Sequence, residues 1–167
     1  MGKFHMETCF NTIVVKLLSV KLDEVDKKLL NMLQRDARTP FAKIARKLGV
    51  SEATVRFRVK KLIEKGVITR FITLLDPRKI GLPITATIVA KVEPSLLDKA
   101  VEQLASFDEA HHVFQSTGEY DIVAVVHARD MTHLGEIRKR VKMIPGVRDV
   151  SVSVATRIMR VEPIFKL

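Results

Sequence analysis

Cysteine is nearly absent. Cys9 is the one cysteine among 167 residues, so a single chain can form neither an internal disulfide nor a cysteine-based metal cluster. Long apolar runs are missing too. The run at residues 13–20 near the front is broken by Lys16 and falls far short of the roughly 20 residues a membrane helix needs. No small-residue cleavage site follows a clean apolar run, so a secretory leader is not expected and the chain reads as cytoplasmic. A Gly-rich phosphate loop, a Gly-x-Ser-x-Gly elbow and a His-Glu-x-x-His run are all lacking, which removes common signatures of nucleotide, acyl-transfer and zinc-hydrolase chemistry. No helical stretch joins a basic side to a broad aromatic side, which argues against a membrane-surface role. No cofactor and no metal are expected.

What is present is charge, unevenly placed. The net charge is +10, and 47% hydrophobic residues are enough for a packed core. Residues 22–70 hold 13 Lys/Arg against 6 Asp/Glu, whereas residues 71–167 hold 13 against 12. A basic front joined to a nearly neutral back places any polyanion partner at the front. A solvated basic face without a partner is the plainer alternative. Residues 1–21, which contain a second candidate start at Met6, form an extension to which no role is assigned.

The front segment, residues 22–75, reads as three short helices and a strand. Asp23, with Asp26 three residues on, suits a helix start; Val25, Leu29, Met32 and Leu33 follow at helical spacing. Thr39-Pro40 predicts a second helix, with a capping hydroxyl and a proline at the first helical position. Gly49 permits a tight turn, Ser51 caps a third helix, and Val55, Val59 and Leu62 form its inner face. Residues 68–75 are rich in β-branched and aromatic types and predict a strand, which makes the unit a winged-type helix-turn-helix. Residues 76–83 read as a linker. Residues 84–167 then give strand, helix, strand, strand, helix, strand: the βαββαβ order of a ferredoxin-like domain, and an α+β chain overall. Such a fold leaves one sheet face uncovered, most simply for a second copy of the chain.

Two short helices around a glycine turn, in a basic segment, are what a helix-turn-helix requires, and the second helix of the pair enters the major groove. With Val55, Val59 and Leu62 turned inward, Ala53, Thr54, Arg56 and Phe57 lie toward base edges, and the capping Ser51 at the helix start joins the DNA-binding set. Ala53, Phe57 and the Thr54 methyl suit thymine methyl groups, and Arg56 suits guanine. Arg58, Lys60 and Lys61 suit phosphates, which set affinity and register. Phe57 has an alternative role in packing against a neighbouring element, and the lysines as a solvated face.

These segments resemble the Lrp/AsnC, or feast/famine, family of transcriptional regulators. The likeness spans residues 22–156. It is carried in front by Leu22-Asp23-Glu24-Val25-Asp26, Leu33-Gln34-Arg35-Asp36-Ala37-Arg38 and Ile44-Ala45-Arg46-Lys47-Leu48-Gly49-Val50-Ser51. Behind, it is carried by Ser116-Thr117-Gly118-Glu119-Tyr120-Asp121 and Ile144-Pro145-Gly146-Val147. The resemblance implies a homodimer built on the back-half sheets, assembly into tetramers or octamers, roughly palindromic double-stranded DNA, often the regulator's own promoter, and amino-acid effectors. The effector loop it implies is Ser116, Thr117, Gly118, Glu119, Tyr120 and Asp121, with Gly118 leaving backbone N–H groups open to a carboxylate and Asp121 facing an ammonium. An ordinary hairpin turn, with Gly118 at positive φ, is the alternative. Many members carry Thr-x-Thr in the last strand; Val150 and Val152 stand there in this chain, which leaves the effector's identity open.

Two rivals share the layout. One is an architectural protein that coats DNA with little sequence preference. The other is an enzyme, because sirohaem-type decarboxylases resemble the same two-domain arrangement. They would need histidines on the sheet, and this chain offers His111, His112 and His127. Strand alternation sets His111 and His112 on opposite faces, and a His-Asn-Tyr-type run is missing, so the chain is read as a non-enzyme.

Overall fold

In the computed structural model, which describes residues 20–167, the chain divides into two units. One holds the described residues up to Ile72 together with Glu162–Leu167, and the other is Thr73–Val161.

The first unit is trihelical: α1 (Glu24–Arg35), α2 (Phe41–Leu48) and α3 (Glu52–Glu64). Asp23 caps α1 in a full reciprocal box: its carboxylate accepts the Asp26 N–H at 2.8 Å, and the Asp26 carboxylate accepts the Asp23 N–H at 3.4 Å. The expected Thr39 cap on α2 does not form. The Thr39 hydroxyl donates to the Asp36 carbonyl at 2.8 Å, and Pro40 sits at the cap position without a side-chain bond; the hydroxyl has closed the preceding turn instead. Gly49 ends α2 at φ +69°, a left-handed conformation that suits glycine. Two residues on, Ser51 Oγ accepts the Thr54 N–H at 3.0 Å and starts α3. Leu29, Ile44, Val55 and Leu62 are sealed in the shared core.

The expected strand over 68–75 is absent. Residues 69–76 have no regular structure, and Phe71, Ile72, Leu74 and Leu75 are exposed. Their composition favours a strand, but a strand needs a ladder partner, and no strand among the described residues pairs with this segment.

The second unit is βαββαβ: β1 (Ile84–Val92), α4 (Leu97–Ala105), β2 (Ala110–Gln115), β3 (Ile122–Ala128), α5 (Met131–Lys142) and β4 (Val147–Val154). The sheet order is β2-β3-β1-β4 with every pair antiparallel. Alternation puts Ala86, Ile88, Ala90, Ile122, Ala124 and Val126 in the core, together with Leu104, Ile137 and Val141 of the helices. Asp130 caps α5 by accepting the His133 N–H at 2.7 Å. Gly146, at φ +88°, opens β4. A Cβ there would lie 2.7 Å from Leu96 Cβ, so both the backbone and the space require glycine.

Strand pairing corrects the expectation for the histidines. The β2–β3 register slips between Ala110 and His112, and a bulge of this kind breaks alternation. His111 stacks on His127 with ring centroids 4.9 Å apart, and His112 stacks on Phe114 at 5.4 Å. His127 and Phe114 alternate with the core residues of their strands, so all three histidines stand on the helix-free face.

Candidate nucleic-acid interface and effector loop

Helix α3 turns Val55, Val59 and Leu62 inward and presents Ala53, Arg56, Phe57, Lys60 and Lys61 to solvent. Phe57 is 63% exposed. It does not pack into the core; Lys61 Nζ lies 6.0 Å from its ring centroid, within the range of a cation–π contact. Arg56 pairs with Glu52 at 2.8 Å and lies 5.4 Å from the Phe41 ring centroid. Lys60 and Glu64 are 3.8 Å apart, both exposed, so the pair holds Lys60 only weakly. Ser51 and Thr54 sit at the helix start, where their hydroxyls bond each other at 2.8 Å.

Arg58 behaves differently from Lys60 and Lys61. Its guanidinium donates to Asp23 at 2.7 Å and to Asp26 at 2.8 Å, which ties α3 to the start of α1. These two hydrogen bonds raise the Arg58 pKa above its ordinary value. Asp23 is held below the usual carboxylate range, first by the Asp26 N–H and then by Arg58. A cleft of about 520 Å³ beside this pair is lined by Asp23, Thr54, Phe57, Arg58 and Lys61, among others. The sequence shows both the arginine and the capping aspartates; their pairing across 35 positions is a tertiary fact that periodicity does not encode.

The loop between β2 and β3 is pinned at its ends. Ser116 N–H donates to the Asp121 carbonyl at 2.8 Å, and Asp121 N–H donates to the Ala90 carbonyl at 3.0 Å. One Asp121 carboxylate oxygen accepts the Val92 N–H at 2.7 Å, so this side chain braces the loop against β1. Thr117, Gly118 and Glu119 between the pins are exposed. Gly118 N–H donates to Ser116 Oγ at 3.3 Å. Gly118 is not among the positive-φ glycines, and a Cβ there would make only ordinary contact with Ser116 Oγ at 3.5 Å; the turn does not need its conformational freedom. Lys91, which sequence reasoning passed over, reaches this loop. Its Nζ is 3.1 Å from Glu119 and 5.2 Å from the Tyr120 ring centroid. The Glu119 hydrogen bond, then its charge, raises the Lys91 pKa. Strand alternation marks Lys91 as a residue of the helix-free face, but not the loop that meets it. Val150, at the first Thr-x-Thr position, is a core residue 5% exposed.

Among the described residues, no group of three or more His, Cys, Asp or Glu side chains is placed to hold a metal ion. No helix among them is long and apolar enough to cross a membrane.

A trihelical unit with a basic, solvent-facing third helix, joined to a ferredoxin-like unit, defines the class of two-domain helix-turn-helix DNA-binding regulators. Comparison with known proteins narrows this. The model of the AsnC-type helix-turn-helix domain matches residues 22–63, and that of the Lrp/AsnC ligand binding domain matches residues 85–163. The chain is 35% identical to the HTH-type transcriptional regulator Ptr1 of Methanocaldococcus jannaschii over 140 residues, covering 83% of this chain and 95% of the relative. It is 39% identical to the regulator LrpA of Pyrococcus horikoshii, covering 77% and 92%. The solved structure of Escherichia coli AsnC superposes with a TM-score of 0.77 at 26% identity, covering 84% of this chain and 97% of that one. A Neisseria meningitidis regulator solved as a complex with L-Met shares the fold, with a TM-score of 0.79 at 21% identity, covering 86% and 95%. The chain belongs to the Lrp/AsnC family of transcriptional regulators, and that family consists of DNA-binding regulators rather than enzymes.

Proposed function

We propose that the chain works in the cytoplasm as a homodimer that binds a roughly palindromic operator, its own promoter included, and that an amino acid bound at the 116–121 loop adjusts that binding. The observation that carries the DNA reading is the outer face of α3. Arg56, Phe57, Lys60 and Lys61 are exposed there beside a core face that is fully buried. In this reading Ala53, Thr54, Arg56 and Phe57 meet base edges, and Lys60 and Lys61 meet phosphates. Arg58, held by two carboxylates, sets the angle of α3 instead. The two heads of a dimer enter major grooves about 34–36 Å apart. Assembly of such dimers into tetramers or octamers would extend the contact along DNA.

The effector reading rests on the loop's chemistry. Exposed backbone around Gly118, the Lys91 cation and the Glu119 and Asp121 carboxylates stand close together, and together they suit a zwitterion. The neighbour bound to L-Met supports an amino acid as the ligand class. Effector coupling of this kind is commonly worth about 1–3 kcal/mol.

Fluorescence anisotropy tests the whole. The fragment upstream of the chain's own gene is compared with a scrambled one across a salt series, with and without a panel of amino acids. A preference of about 10³ or more with a steep salt slope is the expected result. Equal, salt-sensitive binding to both fragments would instead make the protein architectural. A shift of affinity by one class of amino acid, lost on replacing Glu119 or Asp121, is expected for the loop.

A further inference from the structure

The helix-free sheet face carries three imidazoles that neither DNA binding nor the effector loop uses. The bulge at the start of β2 brings His111 over His127, ring centroids 4.9 Å apart. His127 Nδ1 is 3.0 Å from Thr85 Oγ1, which orients the ring. Most of the remaining face is apolar or hydroxyl-bearing: Val89, Val123 and Val125 are only half-buried, and Phe114 is 41% exposed.

We infer that the His111–His127 pair makes face-to-face pairing of two copies pH-sensitive, holding the dimer at neutral pH and releasing it when the rings take up protons. This rests on the homodimer proposed above. A second copy over the face would strip water from both rings. Two imidazolium charges within 5 Å would then lie in an apolar interface, which is costly without a compensating anion.

Among the described residues of one copy, no carboxylate is paired with either ring. On β1 the neighbour is Thr85, and the charged residue of that strand's open face, Lys91, lies at the far end opposite Asp149 of β4. On β2 the further titratable group is His112. Glu109 is next to β2, but its carboxylate is turned to His133 at 3.3 Å and Arg140 at 2.7 Å. Arg129 and Arg157, just past the ends of the adjoining strands, are exposed cations. Burial, and then the charge of His111, already hold the His127 pKa below the ordinary histidine value in one copy.

The sign follows from linkage. The dimer binds fewer protons than the separated copies, so association weakens as pH falls into the range where the separated copies take up those protons. Once pH is below the pKa of a ring in the separated copies, each excluded proton weakens the dimer about tenfold per pH unit.

Sedimentation equilibrium of the full chain at about pH 7.5 and about pH 5.5 is the test. The dimer Kd should rise by about tenfold or more in the acid sample while circular dichroism stays unchanged; a smaller rise, or loss of the helical signal, overturns the inference. His111→Gln with His127→Gln should flatten the dependence, whereas His112→Gln should keep most of it. The exposed single change His111→Gln, which does not touch the core, should reduce it in the same direction. Undiminished pH dependence in the double variant also overturns it. A wild-type chain that is monomeric at neutral pH, or a dimer that survives Val125→Arg there, would instead sink the sheet-face dimer itself.

Discussion

Lys60, Lys61, Arg56 and Phe57 share one exposed surface of α3, yet they should fail in different ways. If Lys60 and Lys61 meet phosphates as proposed, Lys60→Ala or Lys61→Ala should weaken binding to every DNA sequence and lower the salt slope by about 1. Arg56→Ala or Phe57→Ala should leave the slope nearly unchanged. Each should relax preference at one operator position by about 1–3 kcal/mol, read by anisotropy against single-base operator variants. The reverse pattern would exchange the roles. Gly146 offers a residue-scale test of the fold. Alanine there meets an unfavourable positive φ and presses a methyl on Leu96, so Gly146→Ala should cost about 1–3 kcal/mol. A lowered Tm with unchanged DNA specificity is the expected thermal-melt result, whereas Gly118→Ala, with no positive φ and only an ordinary contact to Ser116 Oγ at 3.5 Å, should leave Tm almost unmoved.

At the scale of elements, Glu109 is a clamp between the start of β2 and α5. One carboxylate oxygen takes both His133 Nε2 and Arg140, and the other is buried without a partner. Burial pushes its pKa up, but the hydrogen bonds from its own backbone, Arg140 and His133 outweigh this and the net shift is downward. A depressed folded pKa means stability that is present above the ordinary glutamate value and is lost as pH falls through the folded one. Glu109→Gln should therefore flatten the acid limb of a stability–pH profile measured by urea melts. Glu109→Ala should cost about 1–3 kcal/mol by leaving the buried His133 Nε2 without its partner, while Nδ1 keeps the Arg129 N–H. Helix starts such as Asp23 and Ser51, the inner face of α3 and the strand and helix order of the back half were legible because caps and periodicity are local signals. The diversion of Thr39 from its cap, the bulge at His111 and the failure of the strand expected over 68–75 were not. Thr39 is taken by a competing local acceptor, the Asp36 carbonyl; His111 is set by the β3 register; and residues 68–75 lack a ladder partner among the described strands. At the candidate site the outer face of α3 was readable from helical spacing. The capture of Arg58 by Asp23 and Asp26, and the reach of Lys91 to the 116–121 loop, required the tertiary structure. Arg58→Ala should thus lower Tm and weaken all DNA binding without changing the salt slope, since a positioning arginine releases no counterions.

For the molecule as a whole, the proposed dimer offers two α3 helices to the operator, so much of the affinity should come from joining them. A dimer that has seated one head presents the second at a high effective concentration, a gain of about 10²–10⁴ over a single head. Val125→Arg, which places a charge on the helix-free sheet face but lies in the other unit from α3, should remove that gain. The variant should bind an isolated half-site as the wild type does and bind the full palindrome only about as well as a half-site. The spacing of the half-sites gives an independent reading. Adding about 5 base pairs between them turns one half-site to the opposite side of the duplex, and adding about 10 returns it to the same side one turn further away. If the sheet-face dimer sets the distance between heads, the wild type should lose most of its advantage on the 5-base-pair insertion. The Val125→Arg chain should be indifferent to both insertions. A wild type equally indifferent would mean that the residues 69–76 link lets each head bind alone, and the dimer would then serve the effector loop rather than operator recognition.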